Sequence, residues 1–249
     1  SASPVERPMF REFDQICVVN LPERTDRRRE TERELKRVGC TSNVEFFPAI
    51  RPQSAAGFGS IGEHGCYLSH MALLEKHKNA NAILVLEDDI QFSDDFATAS
   101  TIIGQLPPDW DFFYAGWMQL DACREDWPKA GIVPANPKSE FIGTHCYAIK
   151  GAVVPRVLDK LAEFMTRERG HPEGGRIAVD GALNLARQQL GLATYLAVPP
   201  LGHQRASRTD VGNLRWFDRS PPLRAVVGLA RSFKNSVTRF DGASPRRIK

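Results

Sequence analysis

The chain has 249 residues, of which 42% are hydrophobic and 25% are charged, and its formal net charge is +3. These proportions exclude an intrinsically disordered chain, a collagen-like repeat and a coiled coil, and the length suits one domain with a terminal appendage. The sequence contains no run of about 18 apolar residues that could cross a membrane.

The first third of the chain alternates short apolar runs with stretches of helix-forming residues. Strands are expected at 15–21 and 44–50, separated by a charged helix over 23–38 that Gly39 terminates. A loop rich in glycine and proline follows at 51–62, and an amphipathic helix is expected over 63–77.

The run 83–86 is apolar at every position, which indicates a central strand covered on both faces. Further strands are expected at 111–116, 141–149 and 193–198, and helical stripes at 154–165 and 183–190. Strands separated by helices predict an α/β fold in which the central strands are parallel.

An acidic triplet, Glu87, Asp88 and Asp89, follows this central strand directly. Ligands of open α/β sheets bind beyond the carboxyl ends of the strands, so these carboxylates would project into a binding crevice. Oxygen ligands without sulfur favour Mg²⁺ or Mn²⁺, and either ion would in turn bind a diphosphate. A turn or a helix N-cap built from acids explains the triplet equally well.

Two other segments place polar groups at strand or helix ends. Arg24 and Arg27 follow the first strand, and the planar guanidinium fork suits a nucleotide phosphate, although a solvated helix face is the commoner use of such a charge run. In the segment 62–70, glycines at a helix start allow close backbone approach to an anion. A lone histidine such as His70 is more often structural.

The order of these blocks resembles glycosyltransferase family 25, which includes lipopolysaccharide and collagen galactosyltransferases. The resemblance runs over roughly residues 14–210. The matching blocks are Val19-Asn20-Leu21 with Arg24 and Asp26-Arg27-Arg28, Gly62-Glu63 with Gly65-Cys66 and Leu68-Ser69-His70, Leu86-Glu87-Asp88-Asp89, Trp110-Asp111, Thr144 to Gly151, Val179-Asp180, and Pro200 with His203.

The resemblance implies a GT-A-like fold, with a mixed, mostly parallel sheet flanked by helices. It also implies an inverting transferase that moves a sugar, most often galactose, from a UDP-sugar to an acceptor hydroxyl with the help of Mn²⁺ or Mg²⁺. The acceptor would be a glycan or a lipopolysaccharide-type glycolipid. Such a displacement needs positive charge on the departing diphosphate and a carboxylate that takes the acceptor proton.

The family match also suggests a role for each site residue. Asp89 is the leading candidate for direct contact with the metal, with Asp88 and His203 as further ligands. Asp88 or Glu87 would bind the metal, the ribose or the donor sugar. Asp180 is expected to be the catalytic base, although aspartate is equally favoured as a helix N-cap. The residues expected around the nucleotide are Asn20, Leu21, Arg24, Arg27, Ser69, His70, Glu87 and Asp88.

The predicted organisation has three parts: an extension at 1–13, the glycosyltransferase domain at 14–212, and a basic amphipathic segment at 213–249. Residues 205–249 contain 11 Lys or Arg and three Asp or Glu, a net charge of +8, whereas the preceding chain carries −5. The basic segment would lie on an anionic membrane surface or pack on the domain. Because residues 1–8 lack a secretory signal, a cytoplasmic location is expected. The first of these two alternatives would add peripheral contact with the inner membrane face.

The five cysteines form no Cys-x-x-Cys pair and are expected to be reduced and mostly buried. Two other functions remain compatible with the residues. One is a metal-dependent phosphoesterase or nuclease, and the other is a non-catalytic nucleotide-sugar-binding module. A nucleic-acid partner is not expected, because the basic segment has few aromatic residues for stacking on bases.

Overall fold

The computed structural model describes residues 10, 12–94, 101–119 and 128–205. Its strands are β1 (Gln15–Asn20), β2 (Val44–Pro48), β3 (Ala82–Glu87), β4 (Ile90–Phe92), β5 (Phe112–Gln119), β6 (Gly131–Pro134), β7 (Phe141–Lys150), β8 (Thr194–Val198) and β9 (Gly202–Gln204). Its helices are α1 (Thr25–Arg37), α2 (Ile61–His77), α3 (Val154–Thr166) and α4 (Val179–Gln189), and a short 3-10 turn spans Gly151–Val153.

Seven strands form one mixed sheet in the order β2-β1-β3-β7-β5-β8-β6. Five of them share one direction, and β7 and β6 run against it. The predicted α/β architecture with a mixed, mostly parallel sheet is therefore confirmed. Strands β4 and β9 pair antiparallel in a separate small sheet. The sequence did not predict β4, β6 or β9, because three or four residues are too few to show a strand period.

The core lies on both faces of the sheet, which explains the uniform apolarity of β3. Ile83 and Val85 of β3 pack with residues of α2, α3 and α4 on one face. Leu84 and Leu86 point to the other face, where they pack with Leu35 of α1. Successive side chains of a strand alternate between faces, so a strand with helices on both sides has to be apolar throughout.

The ends of two helices follow from local chemistry. The Ser60 side chain accepts a hydrogen bond of 3.0 Å from the Glu63 backbone N–H, so α2 begins at Ile61, two residues before the expected start. Gly39 adopts φ +66° just beyond α1, a conformation that favours glycine and ends the helix where the sequence predicted.

Several predictions fall on residues that the structure does not describe. The basic segment 213–249 lies outside the described residues, as do most of the extension 1–13 and Cys123. The other four cysteines are unpaired, and three of them, Cys17, Cys40 and Cys146, are buried. None of the described helices is both long enough and apolar enough to span a bilayer.

Candidate active site

A cavity of about 630 Å³ opens at the carboxyl ends of β1, β2 and β3, beside the first turns of α1 and α2. This volume lies within the range of small-molecule and cofactor sites. The cavity brings together most of the residues that the sequence predicted to bind the donor or the metal. Those that line it are Leu21, Arg24, Arg27, Ser69, Glu87, Asp88 and Asp89.

Both carboxylate oxygens of Asp88 accept hydrogen bonds from other side chains of the protein. Asn20 donates a hydrogen bond of 2.7 Å to Asp88 Oδ2, and Arg27 donates one of 3.0 Å to Asp88 Oδ1. Asp88 is only 8% exposed, and both of its oxygens are used to join the end of β3 to β1 and α1. This geometry argues against the prediction of Asp88 as a metal ligand. Asn20 is likewise buried and does not line the cavity, so its predicted contact with the nucleotide is not supported.

Asp89 has different surroundings from its neighbour. Its Oδ1 is buried and accepts no hydrogen bond from the described residues, and its Oδ2 lies 3.8 Å from Arg27 Nη1. Burial, together with the charge of Glu87, raises the pKa of Asp89 to about 7. A buried carboxylate oxygen without a partner is unfavourable unless a cation or a donor binds it. Asp89 therefore fits the expected divalent ion.

Side chains from three elements contact the Glu87 carboxylate. Its Oε1 accepts a short hydrogen bond from Thr144 of β7, and it lies 3.5 Å from His70 Nε2 and 3.9 Å from Cys66 Sγ of α2. Its Oε2 accepts a hydrogen bond of 3.1 Å from Gln204 of β9. Burial alone would raise the pKa of Glu87, but the contacts of its carboxylate with His70 and Thr144 lower it to about 2.

His70 and Ser69 support the wall of the cavity. His70 is fully buried, its Nδ1 lies 2.9 Å from the Tyr147 hydroxyl, and it stands behind Glu87 rather than in the cavity lining. The Ser69 hydroxyl accepts a 2.7 Å hydrogen bond from Ile50 N–H and donates one of 2.6 Å to Gly65 O. Direct nucleotide contacts by these two side chains are therefore not supported.

Two arginines at the mouth of the cavity are paired with exposed acids. Arg24 donates two hydrogen bonds to Asp26, of 2.9 and 2.8 Å, and Arg51 lies 3.0 Å from Glu23. Exposed ion pairs contribute little to stability, so an incoming anion can replace the carboxylate partner at small cost. The sequence indicated nothing about Arg51 except that it lies in the glycine-rich loop at 51–62.

Asp180 is the second residue of α4, and the N-cap position belongs to Ala178. The alternative interpretation of Asp180 as an N-cap is therefore wrong. Its Oδ1 accepts a 2.8 Å hydrogen bond from the Gly181 backbone N–H. Burial raises the pKa of Asp180 to about 6, and the negative charge of Glu87 contributes to the same shift. A carboxylate whose pKa lies near neutrality is suited to general base catalysis.

His203, the third predicted metal ligand, is exposed on β9 opposite Gln91 and does not line the cavity. The structure does not bring it into the group formed by Glu87, Asp88 and Asp89. Gln204 and Arg205, the next two residues, contact that group instead, and nothing in the sequence pattern singled them out.

Among the described residues, two groups of three side chains lie close enough together to hold an ion. One group is Cys66, His70 and Glu87 beside the cavity, and the other lies away from it. This second group consists of Cys17, Glu45 and His77. Glu45 is already paired with Lys76 at 2.6 Å, so Lys76 balances its charge without an ion, and His77 lies 3.1 Å from its other oxygen. This group is therefore interpreted as an ion-pair network beside a buried thiol.

Comparison with known proteins supports the family predicted from the motifs. Residues 59–126 match the model of "Glycosyltransferase family 25 (LPS biosynthesis protein)", so the predicted resemblance is confirmed in this part of the chain. A glycosyltransferase 25 family member of Aedes aegypti is 30% identical over 141 residues, which are 45% of this chain and 22% of that protein. Procollagen galactosyltransferase 2 of Homo sapiens is 30% identical over 129 residues, 42% of this chain and 21% of that protein.

The matched region spans about a fifth of the length of these two relatives. The family name is also carried by "Probable inactive glycosyltransferase 25 family member 3" of Bos taurus and "Inactive glycosyltransferase 25 family member 3" of Homo sapiens. Among solved structures, a glycosyltransferase involved in the glycosylation of the major capsid of PBCV-1 is similar with a TM-score of 0.34 and 12% identity. That similarity covers 79% of this chain and 95% of the other.

Proposed function

We propose that this chain is a metal-dependent, inverting glycosyltransferase that moves galactose from UDP-galactose to a hydroxyl of a glycan or lipopolysaccharide-type acceptor. The observation that carries the proposal is the unpartnered buried oxygen of Asp89 in a cavity whose mouth carries arginines. The family match supports glycosyl transfer, and the procollagen galactosyltransferase relative supports galactose as the sugar.

The donor would bind along the cavity. Asp89 would hold Mn²⁺ or Mg²⁺, since such ions are commonly bound by one or two carboxylates together with substrate phosphates. The ion, when bound, neutralises negative charge on the departing diphosphate. Arg24 and Arg51 would exchange their exposed acid partners for phosphate oxygens, which the guanidinium fork binds in a bidentate manner. Ile50 and Ile61, 38% and 44% exposed, supply an apolar lip for the nucleoside.

The acceptor reaction is assigned to Asp180. Its carboxylate takes the proton of the acceptor hydroxyl while that oxygen forms a bond to the anomeric carbon and the bond to the diphosphate breaks. Attack from the face opposite the leaving group inverts the configuration. Glu87 assists because its fixed negative charge raises the pKa of Asp180, which makes Asp180 a stronger base. The same charge favours the positive character that develops on the sugar ring.

Heat stabilisation of the full chain tests donor binding. UDP-galactose, UDP-glucose and UDP are added with and without Mn²⁺, and the melting temperature is measured. We expect the largest increase with UDP-galactose and Mn²⁺ together, and no stabilisation by any of these pairs would overturn the proposal.

The chemistry is then separated from binding by product analysis. With a hydroxyl acceptor or with water, a transferase releases UDP and a galactoside or galactose, whereas a phosphoesterase that acts on the donor cleaves its pyrophosphate bond and releases UMP together with galactose 1-phosphate. Stabilisation without any product would instead indicate a non-catalytic binding module. Only the first result supports the proposed function.

A further inference from the structure

The chain that leaves β9 crosses the acid turn, defined as residues 87–89. Gln204 donates to the Glu87 carboxylate at 3.1 Å. The Arg205 backbone N–H donates to Asp89 O at 2.8 Å, and Arg205 Nη2 donates to Asp88 O at 2.8 Å. Two consecutive residues thus contact all three members of the acid turn, although they lie more than 110 positions later in the sequence.

Arg205 also joins the acid turn to α1. Its Nη1 lies 3.2 Å from Glu30 Oε2, and its Nη2 lies 3.4 Å from the Thr31 hydroxyl. Thr31 itself donates to Asp88 O at 2.6 Å, so this carbonyl accepts two hydrogen bonds. The Arg205 side chain is 22% exposed, which limits screening of these charge-assisted contacts by water. A planar guanidinium can span the carbonyl and the acid at once, which an ammonium group cannot.

We propose that Arg205 is a positioning residue for the metal site. The direction of the Asp89 side chain depends on the backbone of residues 88 and 89, and Arg205 donates to the carbonyl of each. By fixing that backbone, Arg205 holds Asp89 in the cavity wall with its Oδ1 unpartnered. Groups that orient a metal ligand from outside influence affinity although they do not touch the ion. This inference rests on the proposed function.

The chain supplies a matched control in Arg37. Its Nη2 donates to Phe92 O at 2.9 Å and pairs with Glu34 of α1 at 2.6 Å. Arg37 therefore forms the same kind of bridge from an α1 acid to a backbone carbonyl, but its carbonyl lies in β4, beyond the acid turn. If both bridges served only to stabilise the fold, replacing either arginine would change Mn²⁺ affinity to the same extent.

The test compares R205M, R205K and R37M in the full chain. Calorimetric titration with Mn²⁺ in the presence of UDP measures metal affinity, and circular dichroism measures the melting temperature of the metal-free protein. We expect R205M to weaken Mn²⁺ affinity by roughly 10- to 100-fold, R205K to recover part of it, and R37M to leave it unchanged. Equal losses of affinity in R205M and R37M, or none in R205M, would overturn the inference.

Two further outcomes are distinguishable. Failure of the unsubstituted protein to bind Mn²⁺ with UDP would refute the proposed function itself, before any variant is compared.

Where R205M does not fold, the comparison uses R205K and R37K, which keep the positive charge. Weaker Mn²⁺ binding in R205K alone supports positioning by the guanidinium, and equal binding in the two variants refutes it.

Discussion

Asp88 and Asp89 are neighbours in the chain but have opposite surroundings. Both carboxylate oxygens of Asp88 accept hydrogen bonds, from Asn20 and Arg27, whereas Asp89 Oδ1 accepts none from the described residues. The same substitution should therefore lower the stability of the fold at Asp88 and the binding of Mn²⁺ at Asp89.

Asp89→Asn should abolish the stabilisation of the protein by Mn²⁺ with UDP, because the amide is a poor ligand for a hard divalent ion. Asp88→Asn should instead lower the free energy of unfolding by about 1–3 kcal/mol, because Asn20 and Arg27 lose a charged acceptor. Urea unfolding and thermal shift with Mn²⁺ and UDP measure the two effects. Full Mn²⁺-dependent stabilisation of Asp89→Asn would remove the assignment of Asp89.

The pH dependence of stability should reflect the two raised carboxyl pKa values. Asp89 and Asp180 have folded pKa values of about 7 and about 6, above the ordinary value of 3.8, so the folded state binds more protons than the unfolded state between these limits. Their contribution to the free energy of unfolding of the metal-free protein therefore falls as pH rises from about 4 to 7.

Urea unfolding between pH 4 and pH 8 measures the slope of the free energy of unfolding against pH. Asp89→Asn should reduce it, most clearly between pH 6 and pH 7, and should be more stable than the unsubstituted protein at pH 8. An unchanged slope in Asp89→Asn would show that Asp89 is not the group that titrates there.

Asp180→Asn should reduce kcat for galactose transfer by about 10²- to 10⁴-fold, the usual contribution of a general base, with little change in the affinity for UDP and Mn²⁺. Asp159→Asn, an exposed substitution on α3, serves as the control for loss of a carboxylate. Steady-state kinetics and calorimetry provide the two readouts. Equal kcat values for the two variants would exclude Asp180 as the base.

Thr144→Val should destabilise the fold by about 1–3 kcal/mol, because the partly buried, ionised carboxylate of Glu87 loses a hydroxyl donor while the side-chain volume is conserved. Thr166→Val removes a hydroxyl that donates to Glu163 O at an exposed helix end and should have a smaller effect. Denaturant unfolding of both variants at pH 7 tests the difference. Similar losses would indicate that Thr144 contributes no more than an ordinary surface hydroxyl.

Parts of the fold were predictable because their patterns repeat over enough residues. The uniform apolarity of 83–86 identified a strand covered on both faces, and the acids that follow it were correctly placed at its carboxyl end. Helix α1 was likewise marked by its charged composition and by Gly39.

The roles within the acid turn were not predictable from the residues alone. The three carboxylates look alike in sequence, and their surroundings are decided by side chains from distant segments, such as Thr144 and Gln204 on Glu87. The pairing of β4 with β9 was not predictable for the same reason. Each strand is too short to show an alternation of apolar and polar residues, and each is defined by its pairing with the other.

The reversed direction of β7 within the sheet has a consequence for how specificity can change. Because β7 runs against β3 and β5, the end of β5 and the beginnings of β6 and β7 meet at the edge where the cavity opens. The groups assigned to the nucleotide and the ion belong to β3, α1 and their neighbours. Under the proposed function, insertions between β5 and β7 would change the groups that meet the acceptor and would leave the donor site unaltered.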